Sequence, residues 1–445
     1  MKRGFLLTAI LLTAAIVLGG GGSPNPQSEL ALELVAAAVA FFWLLQGPGF
    51  GESRTLLGIA AAIAVLPLLQ LVPLPPAIWQ ALPGRADAAE ALALVGAADT
   101  WRPWSLSPSR TLAALLSLGP PLLTMFAVAS LGRADRGRAI AVVAGLGLVS
   151  AALGAAQLAG GRGALRLYAQ NHDIWITGFH ANRNAVVDVL LIAAMAIAVV
   201  YRDRRSDIAI PSAGVIAAAA GAILLLAAVL TGSRAGIALI PFALLAAASI
   251  AGWGRRPTRK TALIASALGA VTVAVCFAAF QTSTAIQSVV GRFGLTRDFR
   301  LELWSDTLFA AGRVWPFGSG MGTFTPMAIA VERLETIDGT LPNRAHNDYL
   351  ELLLEGGAFG LAALATAALL VAALARRAWR NRPAERAQVV FAAASLGVIA
   401  AHSMVDYPMR TMALACLAGL AAGLLAPLPS GVREAAPSRP AENEV

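Results

Sequence analysis

His346-Asn347-Asp348-Tyr349-Leu350-Glu351-Leu352-Leu353-Leu354-Glu355-Gly356-Gly357 heads an apolar run that continues to residue 375. A bilayer-crossing helix needs roughly 17–25 residues, so this run can span, and the polar residues at its head stand at the mouth of a membrane helix. Ionisable groups are expensive there and mark a site more readily than an anchor. An imidazole titrates near neutrality. Glu351 and Glu355, four residues apart, share one helical face behind it, with Glu355 about two turns into the span.

The surrounding chain fits that reading. Of its 445 residues, 58% are hydrophobic and 13% charged, against roughly 25% charged in soluble domains. The expected fold is all-α: a polytopic membrane protein of about twelve transmembrane helices with one large extracytoplasmic loop. Apolar segments lie near 4–20, 29–46, 55–72, 110–131, 139–158, 184–201, 209–230, 235–252, 261–280, 349–375, 388–404 and 409–426. Arg133, Arg136 and Arg138, Arg202, Arg204 and Arg205, Arg255 to Lys260, and Arg376 to Arg386 fall in the short loops after even-numbered segments. Cytoplasmic loops concentrate Lys and Arg, so these face the cytoplasm, and 73–109, 159–183, 281–348 and the turn 402–410 face outward.

Those anchors account for most of the net charge of +9, and nucleic acid is not an expected partner. Residues 1–22 also resemble a signal peptide, with Lys2 and Arg3 before an apolar run ending in small residues; retention as the first helix is the expectation, because no further soluble domain follows that would need export. Cys276 and Cys416 lie inside apolar segments and read as packing residues. The Pro-, Ala- and Glu-rich stretch 427–445 reads as a disordered cytoplasmic tail.

All four histidines, His172, His180, His346 and His402, fall on the outward side of this topology, although the charge argument did not use them. Arginines not explained as anchors collect there too: Arg183, Arg234, Arg297, Arg300, Arg344 and Arg410. Thr231-Gly232-Ser233-Arg234-Ala235-Gly236 joins two segments almost without a loop, leaving Arg234 either to snorkel to lipid headgroups or to offer its planar fork to a phosphate. Arg300 and Trp304 are one turn apart on an amphipathic helix, Trp304 being a candidate for the interfacial aromatic belt. Pro316 to Phe324 lacks the Lys-Ser/Thr of a P-loop and reads as a tight turn whose backbone N–H groups could face an anion. His172 and His180 beside Asp173 fit no compact metal site. His402-Ser403-Met404-Val405-Asp406 offers Ser, His and Asp, but no strand-to-helix turn surrounds Ser403; polar closure of the bundle is expected instead.

Four motifs together resemble the O-antigen ligase and O-antigen polymerase superfamily of bacterial membrane glycosyltransferases. They are Gly178-Phe179-His180-Ala181-Asn182-Arg183-Asn184, the Thr231–Gly236 turn, Arg300 to Trp304 with the Gly318–Phe324 turn, and Arg344-Ala345-His346-Asn347-Asp348; His402 to Tyr407 looks like an element of one branch. The likeness runs from about 178 to 410, so 1–177 reads as N-terminal helices with the first outer loop, and 178–426 as the ligase-like core. His180 departs from the pattern, where that branch usually has an aromatic or apolar residue. The resemblance implies transfer of a glycan from a polyprenyl diphosphate to an acceptor hydroxyl on a lipid, glycan or protein. That reaction inverts the anomeric carbon, uses no cofactor or metal, and occurs at the periplasmic face of the bacterial inner membrane. It implies His346 as the catalytic residue, Arg234 and Arg300 as diphosphate ligands, and Arg344, Asn347, Glu351 and Arg183 as supporting residues, with Asn347 and Glu351 holding the imidazole and the helix end. Lipid-carried substrates then call for a groove open sideways to the outer leaflet, with 281–348 as its lid. Some relatives have been labelled as carriers of solutes such as bicarbonate. A transporter would show repeated halves with ionisable groups at the midplane, whereas here the polar groups crowd one face.

Overall fold

The computed structural model describes residues 3–21, 26–47, 54–161, 163–169, 171–172, 174–204, 213–252, 300–333, 337 and 341–429. The expected segment 261–280 with Cys276, the basic loop 255–260, Arg297, the first part of the 281–348 loop and nearly all of the expected tail lie outside the described residues. The other eleven expected segments all fall on helix. Among the described residues, eight helical stretches are long and apolar enough to cross a membrane, and Arg3–Leu18, Arg54–Gln70 and Met412–Leu425 are shorter apolar helices. Sheet among these residues is limited to one antiparallel pair, Pro73–Leu74 with Arg102–Pro103, which pins the base of the first outer loop. The chain is an all-α polytopic membrane protein.

The helices are α1 (Arg3–Leu18), α2 (Pro26–Leu44), α3 (Arg54–Gln70), α4 (Pro76–Trp79), α5 (Ala86–Leu94), α6 (Pro108–Leu116), α7 (Gly119–Ala129), α8 (Arg133–Ala159), α9 (Arg183–Arg204), α10 (Ala213–Leu230), α11 (Arg234–Ala251), α12 (Arg300–Val314), α13 (Phe324–Val331), α14 (Asp348–Asn381), α15 (Arg386–His402) and α16 (Met412–Leu425). The sequence Ala185-Val186-Val187-Asp188-Val189-Leu190-Leu191-Ile192 is apolar on every side except at Asp188. A helix that is apolar all round is a core helix, and α9 packs against α8, α10, α11 and α15 with Val186, Val187, Leu190 and Leu191 fully buried. Gly236 lets α11 approach closely, since a side chain there would overlap Val187.

The two ends of the bundle are chemically different. At one end the basic loops meet. Arg133 donates to Ala384 O, Arg202 to Ile250 O and Arg382 to Leu424 O. Arg136, read from sequence as one of the anchors of a cytoplasmic loop, is fully buried and donates to the carbonyls of Leu131, Leu424, Ala426, Ala129 and Pro427. The last carbonyls of a helix have no intrahelical donor, and this guanidinium caps α7 and α16 together. The opposite end of α16, beginning at Met412, adjoins the segment that carries His402 and Asp406.

α14 is not one continuous rod, as its sequence suggests. Thirty-four residues at 1.5 Å each would reach about 51 Å, well beyond a hydrocarbon core of about 30 Å. The helix breaks at Gly357 (φ 56°, ψ −145°), where Pro316 O accepts from Ala358 N at 2.9 Å. Asp348, Glu351 and Glu355 therefore lie on a short arm ahead of the apolar span, and Glu355 is near the arm's end rather than two turns into the membrane helix. An alanine at 357 would need a strained φ and would overlap Pro316 O; non-glycine backbone in such a region costs about 1–3 kcal/mol before any clash. Gly357→Ala should lower the yield and melting temperature of detergent-solubilised protein, measured by fluorescence-detected size exclusion.

Candidate functional site

Asn347 caps the arm: its side-chain oxygen accepts from Tyr349 N at 3.0 Å and Leu350 N at 3.1 Å, and its amide donates to Met404 O at 2.9 Å. An asparagine in this position satisfies donors that the first helical turn leaves unpaired. The preceding residue, His346, has φ 49°, rare for a side chain of this kind and frequent at functional sites. Its Nδ1 lies 3.1 Å from Asp406 Oδ1. An ionised carboxylate only accepts, so Nδ1 carries the hydrogen and donates. Asp406 also accepts from Tyr407 N at 3.0 Å and from Asn184 Nδ2, and Arg300 Nη2 stands 3.8 Å from its other oxygen. The Tyr407 ring meets the imidazole edge-on, centroids 4.9 Å apart. Burial alone would push the Asp406 carboxyl up; the hydrogen bond and charge of His346, with His402 and Arg300, hold it below the ordinary carboxylate range. The imidazole is thus held by Asp406, not by Asn347 and Glu351 as the sequence suggested. Asn347 does hold the helix end.

Glu351 serves a different partner. Fully buried, it accepts from Arg344 Nη1 at 2.9 Å and Ala345 N at 3.1 Å, and lies 3.3 Å from Arg410 Nε. Arg410 also donates to Glu355 Oε2 at 2.8 Å and lies 3.7 Å from Asp348. Desolvation would lower the Arg410 pKa, but Glu351, Glu355 and Asp348 outweigh it and hold the guanidinium charged. Ser403 Oγ donates to Asp348 at 2.8 Å, His402 Nδ1 lies 2.7 Å from Asp188 Oδ1, and Asp406 faces His346. Ser403, His402 and Asp406 thus address three separate partners, which is not a hydrolase triad.

The glycine turn supports the arm. Gly318, Gly320 and Gly322 have φ of 78°, 115° and 81°, and the turn's N–H groups are taken by protein acceptors. Ser319 N donates to Leu354 O, Gly320 N to Glu355 O, Met321 N to Gln70 Oε1 and Phe324 N to Glu355 Oε1, all within 3.0 Å. The anion it faces is the protein's own Glu355. Gln70 and Arg85, which the sequence did not single out, complete the clamp: Gln70 Nε2 donates to Glu355 O at 3.0 Å, and buried Arg85 to Trp104 O and Gly318 O. Trp304 donates to Ala345 O at 3.0 Å, tying α12 to the residue before His346.

The segment before α9 closes the other side. Asn182 Nδ2 donates to Tyr407 Oη at 3.2 Å and Asn184 reaches Asp406. Arg183 between them lies 4.9 Å over the Trp175 ring. The Thr231–Ser233 connection packs on that same ring, as a side chain at Gly232 would overlap it, and Ser233 caps α11 by accepting from Gly236 N at 3.3 Å. Arg234, the first residue of α11, therefore belongs to the Trp175–Arg183 side, whereas His346, Arg300, Arg344, Asn347 and Glu351 gather directly around 402–411. His180 is buried with neither ring nitrogen bonded to protein, and desolvation lowers its pKa to about 4. Among the described residues no three His, Cys, Asp or Glu side chains gather as metal ligands. Asp406 and Arg410 are the functional residues that local sequence reasoning undervalued; the signal was the density of polar groups in a turn between two apolar segments.

Residues 219–365 match the O-antigen ligase family. That stretch contains Arg234, Arg300, Arg344, His346, Asn347 and Glu351 and ends before Asp406. No curated protein matches the chain. Over residues 219–365, about a third of its length, this polytopic membrane protein is similar to the O-antigen ligase family.

Removing one partner of a buried ion pair costs about 3–5 kcal/mol, so Arg410→Leu, which strands three carboxylates, should abolish the thermal transition of purified protein, with Arg410→Lys rescuing it only in part. His180 supplies a pH effect of known sign. Its folded pKa of about 4 lies below the ordinary 6.5, so the unfolded chain takes up the proton first and stability falls as pH drops from about 6.5 toward 4. In His180→Phe the decline in melting temperature between these pH values should be smaller than in the parent protein.

Proposed function

We propose that the protein is an inverting glycosyltransferase that moves a glycan from a polyprenyl diphosphate to an acceptor hydroxyl at the periplasmic face of the inner membrane. The ligase-like core, 178–426, performs the reaction, and the helices of 1–177 support it. The observation that carries this reading is the convergence of His346 and Arg300 on one buried carboxylate, Asp406, at the end of the bundle opposite the basic loops. The O-antigen ligase match over 219–365 supports it independently.

The chemistry is a single displacement. The acceptor oxygen forms its bond to the anomeric carbon as the carbon–oxygen bond to the diphosphate breaks on the opposite face, and polyprenyl diphosphate leaves with the bonding electrons. The acceptor's proton goes to Nε2 of His346, because Nδ1–H is engaged by Asp406. Asp406 fixes the tautomer and stabilises the imidazolium that forms. General-base help of this kind is typically worth about 10²–10⁴-fold. Charge gathering on the departing diphosphate is the other requirement, and guanidinium groups in a poorly hydrated place meet it. Arg300 and Arg234 are assigned that role, with Arg183 and Arg344 supporting. The acceptor is a lipid, another glycan chain or a protein; a ligase and a polymerase would share every step above.

In membranes supplied with a polyprenyl-diphosphate-linked glycan, His346→Ala should reduce transfer by about 10²–10⁴-fold at unchanged expression. Asp406→Asn should also reduce it, and Arg300→Ala should weaken donor use. Wild-type transfer by a well-folded His346→Ala protein would remove the assignment.

A further inference from the structure

Beside the Asp406 carboxylate lies a small cavity of about 10 Å³, the room of about one water, bounded by Asn182, Asn184, His402, Asp406, Tyr407 and Thr411. Two lining residues carry polar atoms that no protein group reaches: Nε2 of His402 and Oγ1 of Thr411, each residue being 1% exposed. An unpaired buried polar atom costs about 1–3 kcal/mol, and groups of this kind cluster around ordered water in folded proteins. The donor pattern is specific. His402 Nδ1 faces Asp188 Oδ1 at 2.7 Å, so Nδ1 bears the hydrogen and the neutral ring presents a lone pair at Nε2. Asp406 has acceptor capacity left: it takes N–H groups from His346, Tyr407 and Asn184, whereas a carboxylate offers about four lone-pair sites.

We propose that this pocket binds an ordered water that donates one O–H to His402 Nε2 and the other to Asp406 while accepting from the Thr411 hydroxyl. His402 and Thr411 are then positioning residues that act on His346 through Asp406. The inference rests on the reading of His346 as proton acceptor. The array runs Asp188, His402, water, Asp406, His346, joining α9, α15 and the head of α14. The titratable and charged groups facing the Asp406 carboxylate are His346, Arg300 and His402, and His402 in turn faces Asp188. The Tyr407 phenol, pushed up to about 12 by burial and then by Asp406, stays neutral. A donated O–H stabilises the ionised carboxylate, so its loss makes Asp406 easier to protonate and lets the imidazole lose its orientation at higher pH.

The test is the pH profile of transfer from a polyprenyl-diphosphate glycan by the full-length protein in membranes. Thr411→Val keeps the side chain's shape and removes the hydroxyl. It should move the acid limb of kcat up by about 0.5 pH unit, a ~3-fold change in acid dissociation constant, with donor KM unchanged, while Thr411→Ser keeps the parent profile. His402→Gln should move the limb the same way, and the double variant no further than either single one, because both side chains hold one water. An unmoved limb in Thr411→Val, or additive shifts, overturns the proposal. If His346→Ala proves active, the parent reading fails. The water site is then decided by a high-resolution density map: a water within hydrogen-bond distance of His402 Nε2 and Thr411 Oγ1 supports it, and a dry pocket overturns it.

Discussion

Asp348, Glu351 and Glu355 sit inside the end of an apolar bundle, where an uncompensated carboxylate is costly enough to prevent folding. Arg410 is the shared counter-charge, touching all three. Because the carboxylates belong to the arm of α14 and the guanidinium to the turn before α16, the pairing fixes the 402–411 segment against the arm. Asp348 N donating to Ser403 O at 3.0 Å and Asp406 O at 3.3 Å repeats the constraint through the backbone. The contact between Asp406 and His346 is a consequence of that docking. The geometry of His346 against Asp406 is thereby held by an ion cluster that itself faces inward.

Arginines in this end divide by what they satisfy. Arg410 and Arg85 are engaged by protein carboxylates or carbonyls and act as internal ties. Arg300 faces the carboxylate that holds His346: its Nη2 stands 3.8 Å from Asp406 Oδ2, beyond hydrogen-bond length yet close enough for strong attraction where water is scarce. Recruiting Arg410 to an anionic donor would expose three carboxylates. Arg344 lies between these cases, bonded to Glu351 on one nitrogen with its side chain 20% exposed.

Helix positions were legible because a bilayer leaves a spanning chain no alternative to satisfying its backbone internally; apolar run length then suffices, as at α10 and α11. The polar face was legible from the histidines and the unexplained arginines. Long-range partners were not. Nothing local distinguishes Arg136, which binds carbonyls about 290 positions away, from Arg133 and Arg138 beside it. Asp406 sits in a stretch that also holds a Ser and a His, and only its 60-residue separation from His346, closed in space, reveals which group it serves. The run to residue 375 reads as one span, and the break in α14 follows only from the Pro316–Gly318 backbone pressing against Gly357.

The O-antigen ligase match covers 219–365, and the interactions that orient His346 extend beyond it on both sides. Asn182 and Asn184 precede it, and Asp406, Tyr407 and Arg410 follow. Upstream, Gln70 and Arg85 hold the turn that accepts Glu355. A segment limited to the matched stretch would retain the imidazole and the Arg234 and Arg300 cations while losing Asp406, the group that sets the tautomer, and Arg410, the group that neutralises the arm. Retaining the reacting side chains is therefore not sufficient for the site: the carboxylate that holds His346 is supplied by a turn whose own position requires α9, the arm of α14 and the first helices of the chain together.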